Sequence, residues 1–188
     1  MGKIDPKLLL AFAAVVAFAL YMQFGNPNKK YTGHAFWRTA TVDDVAGVPD
    51  AMLLPGNKNA PVLFWAATAT NNPKVIEALV QRGADVNESD TGMFSGTPLS
   101  GAAGYASNPA IIDELVRLGA RIDKKVGSND KTPLIIAAEI NENPGIIERL
   151  VAHGADTKYR DATGRTALEQ AKRFKNETAI KALEAVSK

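Results

Sequence analysis

The chain contains no cysteine. Disulfides and thiolate metal sites are therefore excluded, and cysteine usage says nothing about redox compartment. There are only two histidines, His34 and His153, too few and too isolated for a transition-metal site. G-x-S-x-G, the Walker loop and G-x-G-x-x-G are all missing. The reading is no enzyme, no metal and no cofactor. An excess of one charge is missing too. With Lys3, Lys7, Lys29, Lys30 and Asp5 set aside, residues 31–188 carry 18 Lys and Arg against 19 Asp and Glu. A near-neutral body lacks the concentrated positive field that a nucleic-acid surface needs. Hydrophobic residues make up 46% and charged residues 22%, which is globular composition rather than disorder.

One long apolar run is present. Residues 8–22, LLLAFAAVVAFALYM, have no polar group but the Tyr21 hydroxyl. The run lies between a signal-peptide core and a full membrane span in length. Ala17-Phe18-Ala19 has the form of a cleavage site, but Leu20-Tyr21-Met22 continues the run past it, which favours an uncleaved anchor. The expectation is a tail at 1–7, a transmembrane helix at 8–24 and a linker at 25–34, where Gly25, Asn26 and Pro27 break helices. Lys3 and Lys7 precede the span and Lys29 and Lys30 follow it, so the positive-inside rule nearly cancels. A short basic tail favours the cytoplasm, which puts the remainder across the membrane, in the periplasm of a bacterial cell. The reverse orientation stays open.

The rest of the chain repeats itself. NNPKVIEALVQRGAD (71–85), SNPAIIDELVRLGA (107–120) and NENPGIIERLVAHGAD (141–156) align on Asn-Pro at spacings of 36 and 35 residues. Thr97-Pro98-Leu99, Thr132-Pro133-Leu134 and Thr166-Ala167-Leu168 recur at 35 and 34. Such periodicity marks an architecture in which no unit buries its apolar face alone. Asn caps a helix, and Pro at the next position loses only an N–H that would be unpaired. Apolar residues follow at helical spacing: Val75, Ile76, Leu79, Val80; Ile111, Ile112, Leu115, Val116; Ile146, Ile147, Leu150, Val151. Gly83, Gly119 and Gly154 stop each helix. Thr-Pro-Leu opens a second helix whose Ala pairs, 66–67, 102–103 and 137–138, allow close approach. His153 falls in a last helical turn, where a cation or donor is favoured, and Asp43-Asp44 follow Thr41 at a helix start, where acids are favoured.

With TPLSGAA, TPLIIAA and TALEQA opening the units and RGADVN, LGARID and HGADTK ending them, residues from about 60 onward resemble the ankyrin repeat family. The NxNP phrase is similar to that of bacterial-type members. The family's His after Thr-Pro-Leu is Ser100, Ile135 or Glu169 here, so its bond to the Thr is missing or replaced. The resemblance implies an all-α solenoid of stacked helix pairs with β-hairpin fingers. The ankyrin domain would run 35–188: a degenerate cap at 35–59, repeats at about 60–96, 97–131 and 132–165, and a terminal unit at 166–188.

It also implies protein binding through the finger tips and the concave side of the first helices. Counting from the Ala pairs places Trp65, Gly101, Ile136 and Gln170 at the exposed concave position. The fingers measure 10, 9 and 8 residues from Asn87, Asp123 and Lys158 to the next Thr, and the longest carries Met93-Phe94 at its tip. The candidate protein-binding set is Trp65, Met93, Phe94, Tyr105, Ile136 and Gln170. Trp65 could equally pack on the cap beside Phe36 and Trp37, and Phe94 could fold back onto a neighbouring finger. The functional expectation is a non-catalytic, membrane-anchored interaction module: an adaptor, or an accessory subunit whose span packs through Ala13-x-x-x-Ala17. The alternative is an inhibitor or self-protection protein that blocks a periplasmic or secreted enzyme. The partner is a protein; the membrane is met through residues 8–24.

Overall fold

The computed structural model describes residues 29–53, 62–89 and 96–186. The chain divides into two units, 1–30 and 31–188, and the second carries the architecture below. The expected span at 8–24 lies outside the described residues, as do Met93 and Phe94. Among the described residues, no helix is long and apolar enough to cross a membrane.

Helices numbered in chain order alternate between two layers. The inner layer holds α1 (His34–Thr39), α3 (Val62–Ala69), α5 (Pro98–Tyr105), α7 (Pro133–Ile140) and α9 (Ala167–Phe174). The outer layer holds α2 (Val42–Val45), α4 (Pro73–Gln81), α6 (Ala110–Arg117), α8 (Pro144–Ala152) and α10 (Glu177–Val186). Within each layer every helix packs on the one before and the one after it, and each of the four later pairs also packs together across the layers. Two 3₁₀ turns, Lys29–Thr32 and Asp50–Met52, flank the short first pair.

The burial follows the repeated phrase. Val75, Ile76, Leu79, Ile111, Ile112, Leu115, Ile146, Ile147 and Leu150 are fully buried between the layers. The last member of each stripe, Val80, Val116 or Val151, sits half-buried at the edge. The inner-helix alanines, Ala66, Ala67, Ala102, Ala103, Ala137 and Ala138, are sealed. Gly101 goes further: a Cβ there would lie 2.8 Å from both Phe64 Cε2 and Thr68 Cγ2, so α3 and α5 meet more closely than any side chain permits. At the first end Trp37 is fully buried. Its indole donates to the Tyr31 carbonyl at 2.9 Å, and Tyr31 Oη donates to the Gly47 carbonyl. Arg82 ties this cap to α4 through the Val45 carbonyl and Asp50.

The caps are those the phrase implies, with one shift. Asn72 and Asn143 accept from the N–H of Lys74 and Gly145, with Pro73 and Pro144 next in line. In the middle copy the helix begins at Ala110, beyond Pro109, yet Asn108 still accepts the Ala110 N–H. The bond lost with the family's His is replaced where the side chain can accept: Ser100 Oγ and Glu169 Oε2 take the N–H of Thr97 and Thr166. Ile135 offers no such group. Thr41 likewise donates its N–H and hydroxyl to Asp44.

The β-hairpin fingers are a correction. Among the described residues there is no strand, only a single antiparallel bridge between Val126 and Lys131. Short Gly- and Asx-rich fingers are held by side-chain bonds to the backbone instead, which compete with a ladder. Asn87 bonds the Gly119 carbonyl and Arg121 N–H of the next unit, and Asp123 accepts the Asp156 N–H one unit on.

Candidate protein-binding surface

The last residue of each inner helix from α3 onward follows the repeat: Ala69, Tyr105, Ile140, Phe174. The last three are large, apolar and exposed, at 52%, 43% and 47%. Only two other large apolar side chains among the described residues are exposed, Val42 and Val186, both less so and both near an end of the stack. Tyr105, Ile140 and Phe174 thus form a ridge crossing three units, with clefts between its knobs. The cleft between Tyr105 and Ile140 measures about 440 Å³ and is lined by Ser107, Glu142 and Asn143 as well. The next, between Ile140 and Phe174, measures about 310 Å³ and includes Glu139, Glu142 and Asn176. A smaller notch of about 110 Å³ opens between Phe64, Gly101, Tyr105, Ile136 and Ile140.

The floor between the knobs is polar and fixed. Asn141, buried, donates to the carbonyls of Ala103 and Ala106 in the preceding unit and accepts the Asn143 N–H. Asn176 repeats the arrangement one unit on, donating to the carbonyls of Ala138 and Asn141. The backbone ends of α5 and α7 are thereby satisfied by the next repeat, so the knobs stand on a rigid base.

The expected site residues separate. Tyr105 stands on the ridge, and Ile136, half-buried one turn before Ile140, lines the notch. Trp65 is half-buried and packs against the core, edge-on to Phe64 and to His34, with ring centres 5.6 and 5.1 Å apart. His34, isolated in sequence, thus has a place, and its ring also lies 6.4 Å from that of Tyr105. Gln170 is corrected: it is 1% exposed and donates to Asp161 and Thr163 of the finger that precedes it. Gly101 is corrected with it, being covered by Phe64 and Thr68. At Gly101 the preceding inner helix closes over that register and at Gln170 the preceding finger does, whereas one turn later the inner helix ends and its last side chain stays open. Ile140 and Phe174 were missed for that reason. Their spacing, 35 residues from Tyr105 to Ile140 and 34 from Ile140 to Phe174, is the signal that finds them.

The ionisable groups hold structure. Burial alone would raise Asp161, but the Thr163 hydroxyl, the Gln170 amide and the N–H groups of Arg165 and Thr163 together lower it to about 2. Glu169 is held below the usual carboxylate range by the Thr166 N–H and by Arg160. His153 caps α8 and reaches Asp113 of the preceding unit at 2.7 Å. Among the described residues no three His, Asp or Glu side chains are placed to hold a metal ion.

A family model for three copies of the ankyrin repeat matches residues 99–185, and one for a single ankyrin repeat matches residues 59–91, together well over half of the chain. The chain belongs to the ankyrin repeat family. No curated protein matches it significantly. Ankyrin repeat proteins are generally non-catalytic protein–protein interaction modules, and the stacked pairs and the open ridge are read in that light.

Proposed function

We propose that this chain is a non-catalytic, membrane-anchored interaction module that holds a protein partner on its inner-helix ridge. It would serve as an adaptor or accessory subunit of a membrane-associated complex. The observation that carries the reading is the alignment of Tyr105, Ile140 and Phe174 on three successive units. Large apolar groups kept in water at one repeat position favour burial by a partner, and such groups dominate binding energy. Ile136, one turn before Ile140, lines the adjoining notch and belongs to the same proposed surface; Met93 and Phe94 stay in the proposed protein-binding set. The near-neutral charge of residues 31–188 leaves apolar contact, rather than long-range steering, to supply affinity. The apolar run 8–22 supports anchoring.

The test uses the full-length chain in its native membranes. Carbonate washing should leave it in the pellet; release would remove the anchor from the reading. Tyr105→Ala, Ile140→Ala and Phe174→Ala should each weaken capture of the co-purifying partner by about tenfold or more, while Glu148→Ala on the opposite layer should not. Wild-type capture by all three ridge variants would overturn the surface.

A further inference from the structure

The ridge has a period, and the period indicates what fits it. Tyr105, Ile140 and Phe174 come one from each of α5, α7 and α9, and these helices pack directly on one another in turn. Helices in direct contact lie about 8–10 Å apart, so the two clefts between the knobs repeat at about that distance. An extended strand returns a side chain to the same face after about 6.6 Å or 13 Å, so it fills one cleft and misses the next. An α-helix returns one after seven residues, about 10.5 Å on, and a crossing angle of about 20° brings that to about 10 Å.

The floor decides against the remaining extended form. A polyproline helix also has a suitable repeat, about 9 Å for three residues, but its carbonyls are left bare and need donors. The donors between the knobs are engaged. The Ser107 hydroxyl donates to Asn71 Oδ1, the Asn143 amide to the Ser107 carbonyl, and the Asn141 and Asn176 amides each to two carbonyls of the stack. Among the described residues there is also no strand whose edge an incoming strand would extend. An α-helix satisfies its own backbone and needs nothing from this floor.

Charge sets the flanks. Glu142 borders both clefts and Glu177 the second, against Lys175 alone, and none of the three is in an ion pair among the described residues. Glu139 takes no part. Its side chain is 7% exposed, Lys131 holds its Oε2, and its Oε1 is out of contact with solvent and without a hydrogen-bond partner among the described residues. Lysines or arginines beside a partner's apolar stripe complement the exposed acids.

We propose that the ridge seats a basic amphipathic helix of the protein partner. One large apolar side chain enters the cleft between Tyr105 and Ile140, and the residue seven positions on enters the cleft between Ile140 and Phe174. The inference rests on the ridge being the binding surface and names what is bound there. Heptad-spaced anchors are one of the standard ways in which a helix is read by a groove.

The experiment titrates the isotope-labelled full-length chain with the peptide Ac-(LKAAKAA)3-amide, which carries leucine at every seventh position between lysines. Three controls accompany it. One has the same composition with its leucines five residues apart, which scatters them around the helix. Another, Ac-(LEAAEAA)3-amide, reverses the charge, and the last, Ac-(LPP)5-K-amide, is a polyproline helix with leucine at every third residue. Amide resonances of Tyr105, Ile140 and Phe174 should move with the first peptide, and each control should bind about tenfold more weakly. Ile140→Ala, altered at an exposed position between the two clefts and checked for unchanged circular dichroism, should weaken the first peptide by a similar factor. Equal or tighter binding of any control, shifts confined to other faces, or no shift at millimolar peptide would each overturn the proposal. If the ridge variants still release the natural partner in that event, the interaction surface stands without the helical occupant. If they retain it, the surface itself fails.

Discussion

Gln170 Nε2 donates to Asp161 Oδ2 at 2.5 Å, fastening the last finger to the inner helix that follows it. The other carboxylate oxygen of Asp161 takes the N–H groups of Thr163 and Arg165 and the Thr163 hydroxyl. Asp161 therefore does for this finger what a strand ladder would otherwise do.

Asp161→Ala should destabilise the protein by about 2–4 kcal/mol at neutral pH, since several donors lose a charged acceptor at once. The pH dependence has a definite sign. The folded-state pKa is lowered from 3.8 to about 2, so the carboxylate's contribution is complete above the unfolded value. It is lost as pH falls through the interval between the two. Urea unfolding of wild type and variant across that interval checks this. Wild-type stability should fall by about 2 kcal/mol more than that of the variant. Parallel curves would show that Asp161 is not the responsible group.

The two glycines of α5 should answer differently to the same change. At Gly101 an added methyl meets the buried Phe64 ring and Thr68 at 2.8 Å, neither free to yield. Gly101→Ala should cost about 1–3 kcal/mol despite better helix propensity. At Gly104 the nearest atom is the end of the exposed Ile140 side chain at 3.0 Å, with Ile136 Cγ2 at 3.2 Å. Gly104→Ala should lie within about 1 kcal/mol of wild type, because the propensity gain offsets a small shift. Thermal melts of the two variants side by side decide it.

Asn141→Ala removes one side chain and strands three backbone partners: the carbonyls of Ala103 and Ala106 and the N–H of Asn143. A loss of about 2–4 kcal/mol is expected. Combining it with Asn176→Ala should give a non-additive total: the backbone carbonyl that Asn176 holds survives at position 141, but the side chain that fixes its position is gone. Strict additivity in a double-mutant cycle would argue against a connected ladder.

Leu115→Ala, in a helix packed on both sides, should cost about 2–5 kcal/mol through lost burial and a residual cavity. Leu183→Ala, in the final helix, should cost less because that end collapses or frays more easily. Equal costs by urea unfolding would contradict a stack with a weaker terminus.

Much of this was legible in the sequence because helix capping and apolar periodicity are local and are written three times over. The stripes, the stops and the small inner helices all follow from residues within one turn of each other. The concave register was not legible in that way. Gln170 and Gly101 lie at helical positions that look free within their own unit and are covered by side chains from adjacent elements. The Asn141 and Asn176 bonds were hidden for a similar reason, since their acceptors lie 35 to 38 residues earlier in the chain. The orphaned oxygen of Glu139 has no sequence signature at all: only assembled packing shows that one oxygen is paired and the other is not.

The asparagine bonds also separate two jobs that a uniform stack would confuse. Asn108, Asn143, Asn141 and Asn176 each fix the offset between successive units at the loop edge of the stack. At the opposite edge the fingers shorten from 10 to 9 to 8 residues without disturbing that offset. Spacing is thus set on one margin and variation is absorbed on the other. A residue inserted in a finger should leave the pitch of the array untouched, whereas one inserted beside these asparagines would throw every later unit out of step.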